Sequence, residues 1–229
     1  EIAMGEHSDK PLRLSAEKTF GIPYRILAEQ IECRKKAGKK FPFLKDLFRY
    51  YDKIALEQSS GEIAAKHKAS LFSGSKFIDI TGGFGIDFFC ISRNYNENIY
   101  CETNENLFAL IEFNRNYFVS HSDNRQQFFN EDGIEILKQF PDKYFDLIFA
   151  DPARREGGKR SVDIKFCRPD VIKEYSLLRS KAVKLCFKLA PAFDLTEAFR
   201  LFPDITECRV VSAEGECKEV LVIIDPADT

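Results

Sequence analysis

The sequence lacks several features that would place it at once. No CxxC pair occurs among its seven cysteines, Cys33, Cys90, Cys101, Cys167, Cys186, Cys208 and Cys217. An odd set of scattered thiols excludes a disulfide framework and a paired-cysteine zinc site, and it fits a reduced, cytoplasmic protein. The three histidines, His7, His67 and His121, show no metal-ligand spacing, so no metal is expected. No apolar run approaches the roughly 18 residues of a membrane span, and no signal peptide is recognisable. A strong charge of one sign is also missing: the formal net charge is −2. Composition alone therefore does not point to nucleic acid. There are no internal repeats and no low-complexity tracts.

What is present suits one large domain, or one domain with a small companion: 229 residues, 44% of them hydrophobic. Charge is uneven along the chain. Residues 1–70 carry 14 Lys/Arg against 10 Asp/Glu, and the remainder 20 against 26. A basic companion on an acidic core can help dock a polyanion, but it equally describes a solvated helical surface. Residues 1–10 read as a lead. Residues 11–70 lack strand alternation and read as a small helical domain, with Leu27, Ile31 and the run Phe41–Leu44 as apolar faces and Pro23 and Pro42 as punctuation. Lys66, His67 and Lys68 read as a solvated basic helix face. The chain opens on Glu1 and stops just after a strand-like run, which suggests a piece of a longer protein.

From residue 76 the rhythm changes, and residues 71–229 read as a second domain. Short apolar runs fall at 76–80, 98–102, 126–130, 144–150 and 184–189. A turn signal and a stretch suited to a helix follow each of the first four. That alternation predicts a doubly wound α/β fold with a mostly parallel sheet. The last two runs, 205–212 and 218–224, are separated only by a short segment around Gly215. They predict an antiparallel hairpin at the end of the sheet.

The first strand runs into Asp79-Ile-Thr81-Gly82-Gly83-Phe84-Gly85-Ile-Asp87. A strand, a glycine cluster and a helix form the ligand-facing edge of a doubly wound sheet. A nicotinamide site prefers G-x-G-x-x-G, whose third glycine lets the helix pack on the strand. Here that position is Phe88, so a pyrophosphate ligand is disfavoured. Asp79 suits a ligand with a positively charged centre and an amino-acid end, as in S-adenosyl-L-methionine. Glu102, followed by Thr103, ends the second strand, where a carboxylate can accept both hydroxyls of a ribose. It would serve an adenosine cofactor or a nicotinamide one. Asp132 and Gly133 follow the third strand, where they can meet an adenine amino group or simply make a turn.

The most specific segment is Tyr144-Phe-Asp-Leu-Ile-Phe-Ala-Asp151-Pro152-Ala-Arg154-Arg155. It is a buried strand broken by proline, with a carboxylate and two guanidiniums at the end where open α/β sheets hold ligands. Asp151 can orient a nucleophile or a cofactor ammonium. Arg154 and Arg155 can hold a phosphate in the bidentate manner of guanidiniums. Gly157-Gly-Lys159-Arg160 adds a basic loop, and Lys188 is either a further phosphate contact or an ordinary strand-end charge. Gln58-Ser59-Ser60 is either a cover for the cofactor or a helix cap.

These residues resemble the class I S-adenosylmethionine-dependent methyltransferases. Residues 79–87 are similar to the family's first motif. Glu102, Asp132 and Asp151-Pro152 fall where its ribose, adenine and catalytic motifs fall. The segments Glu57–Lys68, Asp151–Arg155, Lys188–Pro191 and Glu216–Glu219 resemble a bacterial subgroup that carries a THUMP-like domain beyond the catalytic core. That resemblance spans about residue 25 to 224. It implies a Rossmann-like, seven-stranded sheet with an antiparallel last strand behind a helical N-terminal domain, and RNA as the substrate. Asp151, Pro152 and Arg154 are the catalytic candidates. Base N-methyltransferases commonly show an aromatic after Asp/Asn-Pro-Pro to stack a flipped base. This chain has Arg154 in that place. The segment is also similar to the Asp-Pro-Pro-Arg of uracil C5 enzymes, which need a cysteine nucleophile after the fifth strand. Here Leu189-Ala-Pro191 stands there and Cys186 lies inside the apolar run, so covalent C5 chemistry is rejected.

Overall fold

The computed structural model describes residues 21–118, 124–154 and 167–225. Among the described residues three α-helices come first: α1 (Tyr24–Lys40), α2 (Lys53–Gln58) and α3 (Glu62–Leu71). Pro23 supplies the N-cap of α1, where its missing N–H costs nothing. The Asp52 side chain caps α2 by accepting from Ala55 N. The apolar face of α1 differs from expectation. Ile31 is 50% exposed, while Cys33 and Ala37, one turn apart, are buried.

The strands and helices then alternate: β1 (Lys76–Asp79), α4 (Ile86–Ile91), β2 (Glu97–Cys101), α5 (Glu105–Phe118), β3 (Arg125–Phe129), α6 (Gly133–Lys138) and β4 (Phe145–Ala150). A short antiparallel pair, β5 (Ala153–Arg154) and β6 (Cys167–Arg168), leaves the sheet directly after Asp151-Pro152. The chain continues through α7 (Tyr175–Lys181), β7 (Ala182–Leu189), α8 (Leu195–Leu201), β8 (Glu207–Ala213) and β9 (Glu216–Ile224).

The main sheet has seven strands in the order β3-β2-β1-β4-β7-β9-β8. Pairs from β3 to β7 are parallel, and β9 runs antiparallel to both β7 and β8. The expected closing hairpin is there. Glu214 and Gly215 turn it with φ of 55° and 80°, the two-residue geometry whose twist matches the flanking strands. Alternation along each strand sends side chains to opposite faces. Phe77, Leu147, Phe149 and Cys186 join the core under α1–α5, and Ile78, Ile148, Leu185 and Phe187 join the core under α6–α8. The first core also holds Phe41, Phe48 and Tyr51, so the N-terminal helices and the sheet share one apolar interior.

Candidate functional site

From β1 the sheet is wound in both directions, with β2 on one side and β4 on the other. The carboxyl ends of β1 and β4 therefore border the crevice where such sheets bind ligands. The four carboxylates singled out from sequence stand along this edge: Asp79 at the end of β1, Glu102 after β2, Asp132 after β3 and Asp151 after β4.

The glycine turn is tightly built. Gly83 and Gly85 have φ of 57° and 81°, a region that disfavours side chains. Gly82 is needed for another reason: a Cβ there would lie 2.2 Å from the Tyr100 ring. That ring is held in place because its hydroxyl donates to Gly83 O at 2.6 Å. Gly133 likewise admits Ile80, whose backbone Cα would sit 2.6 Å from an added Cβ. The Phe84 side chain does not face the crevice. It is 3% exposed and stacks on Phe48 at a centroid distance of 4.7 Å and on Tyr51 at 6.1 Å. Its ring anchors the turn to the helical core instead of lining the crevice.

Asp79 is 1% exposed. Its Oδ1 accepts from Thr81 N at 2.9 Å and from Thr81 Oγ1 at 3.1 Å. Burial pushes its carboxyl up to about 8 despite these bonds, and the nearby Asp87 and Asp151 carboxylates add to the rise. The Thr81 hydroxyl also accepts from Asp151 N at 2.7 Å, so one side chain ties the first-strand loop to the fourth-strand loop. Glu102 accepts from Gly83 N at 2.9 Å and from Asn104 N at 2.7 Å, one bond to each oxygen. Thr103 beside it is exposed. Asp132 is exposed and caps α6 by accepting from Ile134 N at 2.9 Å.

Asp151 is half-buried and its Oδ2 accepts from Lys188 Nζ. Lys188, on β7, also lies 3.8 Å from Asp87 Oδ2. Burial lowers the affinity of its ammonium for a proton, but Asp151 and Asp87 outweigh that and hold it firmly charged. A substrate phosphate would have to compete with these two carboxylates. Pro152 is half-buried beside Asp151, and the Arg154 backbone pairs with Cys167 in the short ribbon. Arg155, Lys159 and Arg160 lie outside the described residues. Cys186 is completely buried and burial pushes its thiol well up, which suits a core residue and not a nucleophile.

Behind the crevice lies a buried ionic cluster that no sequence pattern singled out. Lys68, read above as part of a solvated face, is 0% exposed. It shares the inward side of α3 with Ala64 and Ala65, as helical spacing requires. Its ammonium meets Glu219 Oε1 and lies 3.1 Å from Asp87 Oδ1. Ser60 Oγ donates to Asp87 Oδ2 at 2.7 Å. The one available signal was indirect: all four residues lie in segments that carried the family resemblance.

A solved structure described as a "putative methyltransferase" from Porphyromonas gingivalis W83 is similar over 98% of this chain, with a TM-score of 0.80 and 28% sequence identity. The match covers 55% of that protein, so the chain spans about half its length. The fold is that of the class I methyltransferases. The same fold recurs at low identity. TrmK from M. capricolum, in complex with the cofactor product S-adenosyl-homocysteine, matches at TM-score 0.51 and 10% identity over 71% of this chain and 67% of that one. A precorrin 8w decarboxylase from Methanobacterium thermoautotrophicum matches at TM-score 0.51 and 12% identity over 78% of this chain and 97% of that one. No family model and no curated protein matches the chain.

Proposed function

We propose that the protein is an S-adenosyl-L-methionine-dependent methyltransferase acting on RNA. The observation that carries this reading is the row of Asp79, Glu102, Asp132 and Asp151 along the carboxyl edge of β1–β4, at the point where the winding of the sheet reverses. That donor set fits the cofactor. Its ammonium and sulfonium are cationic and favour the ionised form of the Asp79 carboxyl at this edge, and its ribose diol suits a carboxylate such as Glu102. The glycine turn lets the ligand approach the backbone of Gly83. Asp132 and Gly133 border the place for adenine.

When bound, the cofactor supplies an electrophilic methyl group whose bond to sulfur breaks as the acceptor's lone pair attacks, leaving the electron pair on sulfur. Asp151 is the acceptor-side group: its carboxylate orients the nucleophile and takes the proton displaced from it. Pro152 shapes the approach to the methyl group. Thr81 keeps Asp151 in step with the cofactor turn through its bond to Asp151 N. Positioning of this kind supplies most of the rate in a displacement that needs little else from the protein. Arg154, Arg155, Lys159 and Arg160 are the proposed phosphate contacts, and the basic character of this segment favours RNA over a small neutral acceptor. The resemblance to the subgroup with a THUMP-like domain supports the same substrate, and the N-terminal 1–70 segment is then a helical companion to the catalytic 71–229 part.

The test is transfer of labelled methyl from S-adenosylmethionine to pooled host RNA by the full-length protein, with Asp151→Ala beside it. Label in RNA that is lost with Asp151→Ala supports the reading. Cofactor binding without label in RNA would replace RNA by a small-molecule acceptor or by a non-catalytic role.

A further inference from the structure

Beneath Asp151, six polar side chains from five separate stretches of the chain form one connected group. Asp151 meets Lys188, and Lys188 lies 3.8 Å from Asp87. Asp87 lies 3.1 Å from Lys68, and Lys68 meets Glu219. Ser60 donates to Asp87 at 2.7 Å and accepts from Lys68 at 3.1 Å. Apart from Asp151, every one of these side chains is nearly or fully buried. Buried charges persist only when paired, so each member constrains its neighbour.

The arrangement has a direction. Asp87 and Glu219 are two carboxylates around one inner ammonium, Lys68. This inner set is short of one positive charge, and Lys188 on β7 is the nearest supply. Yet Lys188 is only 3.8 Å from Asp87 while it bonds Asp151 directly. Asp87 can leave it there because it already has a closer cation, Lys68 at 3.1 Å from Oδ1, and a bond from Ser60 to Oδ2. Lys68 and Lys188 also keep the Asp87 carboxyl below its usual range against the opposing effect of burial.

We propose that Lys188 is a positioning residue for Asp151, and that the Ser60–Lys68–Asp87–Glu219 cluster keeps its ammonium turned toward that carboxylate. This rests on Asp151 as the acceptor-side group. Through Ser60 and Lys68, the docking of the N-terminal helices sets the geometry at which the methyl acceptor is held. The same ammonium is then not a substrate contact.

The experiment compares Lys188→Met, Lys188→Arg and Ser60→Ala in the full-length protein. It measures single-turnover transfer, cofactor affinity by calorimetry and crystal structures of the variants. Lys188→Met is expected to lose about 10- to 100-fold in transfer rate, the effect of small misplacement at a reacting centre, with cofactor affinity unchanged. Lys188→Arg restores most of the rate. Ser60→Ala loses less, again in rate and not in affinity. Loss of rate and cofactor affinity together in Lys188→Met, or an arginine variant as slow as the methionine one, overturns the proposal. If the unmodified protein transfers methyl to no RNA, the functional reading falls and the crystal structures decide this one. An Asp151 carboxylate displaced in Lys188→Met upholds it, and an unmoved one refutes it.

Discussion

Replacing Asp79 by asparagine should make the protein more stable, by a margin that opens above about pH 4 and is largest at the alkaline end of its range. In the unfolded chain this carboxyl has its ordinary pKa of 3.8, and in the fold burial raises it to about 8. Between those values the native state holds a proton that the unfolded state has released. Native stability therefore falls as pH rises, by about 1.4 kcal/mol per pH unit. Over the window from 3.8 to about 8 the loss amounts to about 6 kcal/mol. It is complete above the folded-state value and absent below the unfolded one. Asparagine cannot ionise, yet its side-chain oxygen can still accept from Thr81 N and Thr81 Oγ1. The two proteins should match in stability near pH 4 and diverge steadily up to about pH 8, with a constant gap beyond that. Urea unfolding at fixed ionic strength from pH 5 to 9 measures the gap directly. Parallel stability curves, or curves that converge as pH rises, would refute the reasoning.

Two further substitutions test the turn and the core. Gly82→Ala drives a methyl group into the Tyr100 ring, 2.2 Å from its nearest carbon. Because the tyrosine hydroxyl is bonded to Gly83, the ring cannot simply rotate away, and a loss of about 3 kcal/mol is expected in chemical unfolding together with weaker cofactor binding. Cys186→Ala should lower stability by about 1 kcal/mol through a small cavity and leave methyl transfer intact, as measured by turnover on the RNA substrate. A dead but folded Cys186→Ala protein would instead revive covalent chemistry.

The parts of the fold that were readable from sequence are those whose information is local. The strand at 145–150 is an apolar run interrupted only by Asp146 and closed by Asp151-Pro152, and the hairpin before Ile224 is marked by Gly215. The glycine turn declared itself through the strand before it and the helix after it. Side-chain direction was less accessible. Phe84 sits inside the motif, but its ring turns into a core built from residues more than 30 positions earlier. Lys68 was opaque for the same reason. A lysine between His67 and Ala69 looks solvated, and only Asp87 and Glu219, brought in by other elements, make its burial tolerable. Asp132 shows a third limit. The same residue type serves as a ligand contact and as a helix cap, and the structure displays the capping bond.

The stacking of Phe84 on Phe48 and Tyr51 bears on how a ligand would be received. A glycine-rich turn left to itself samples many conformations, and ordering it on binding subtracts from affinity. Here one aromatic ring rivets the turn to the N-terminal helices before any ligand arrives. Binding should then proceed with little entropic penalty from the loop, as a key entering a lock that is already cut. A chain shortened to begin at residue 71 would release the rivet, expose a phenylalanine to water and trade that rigidity for a soft, adhesive edge.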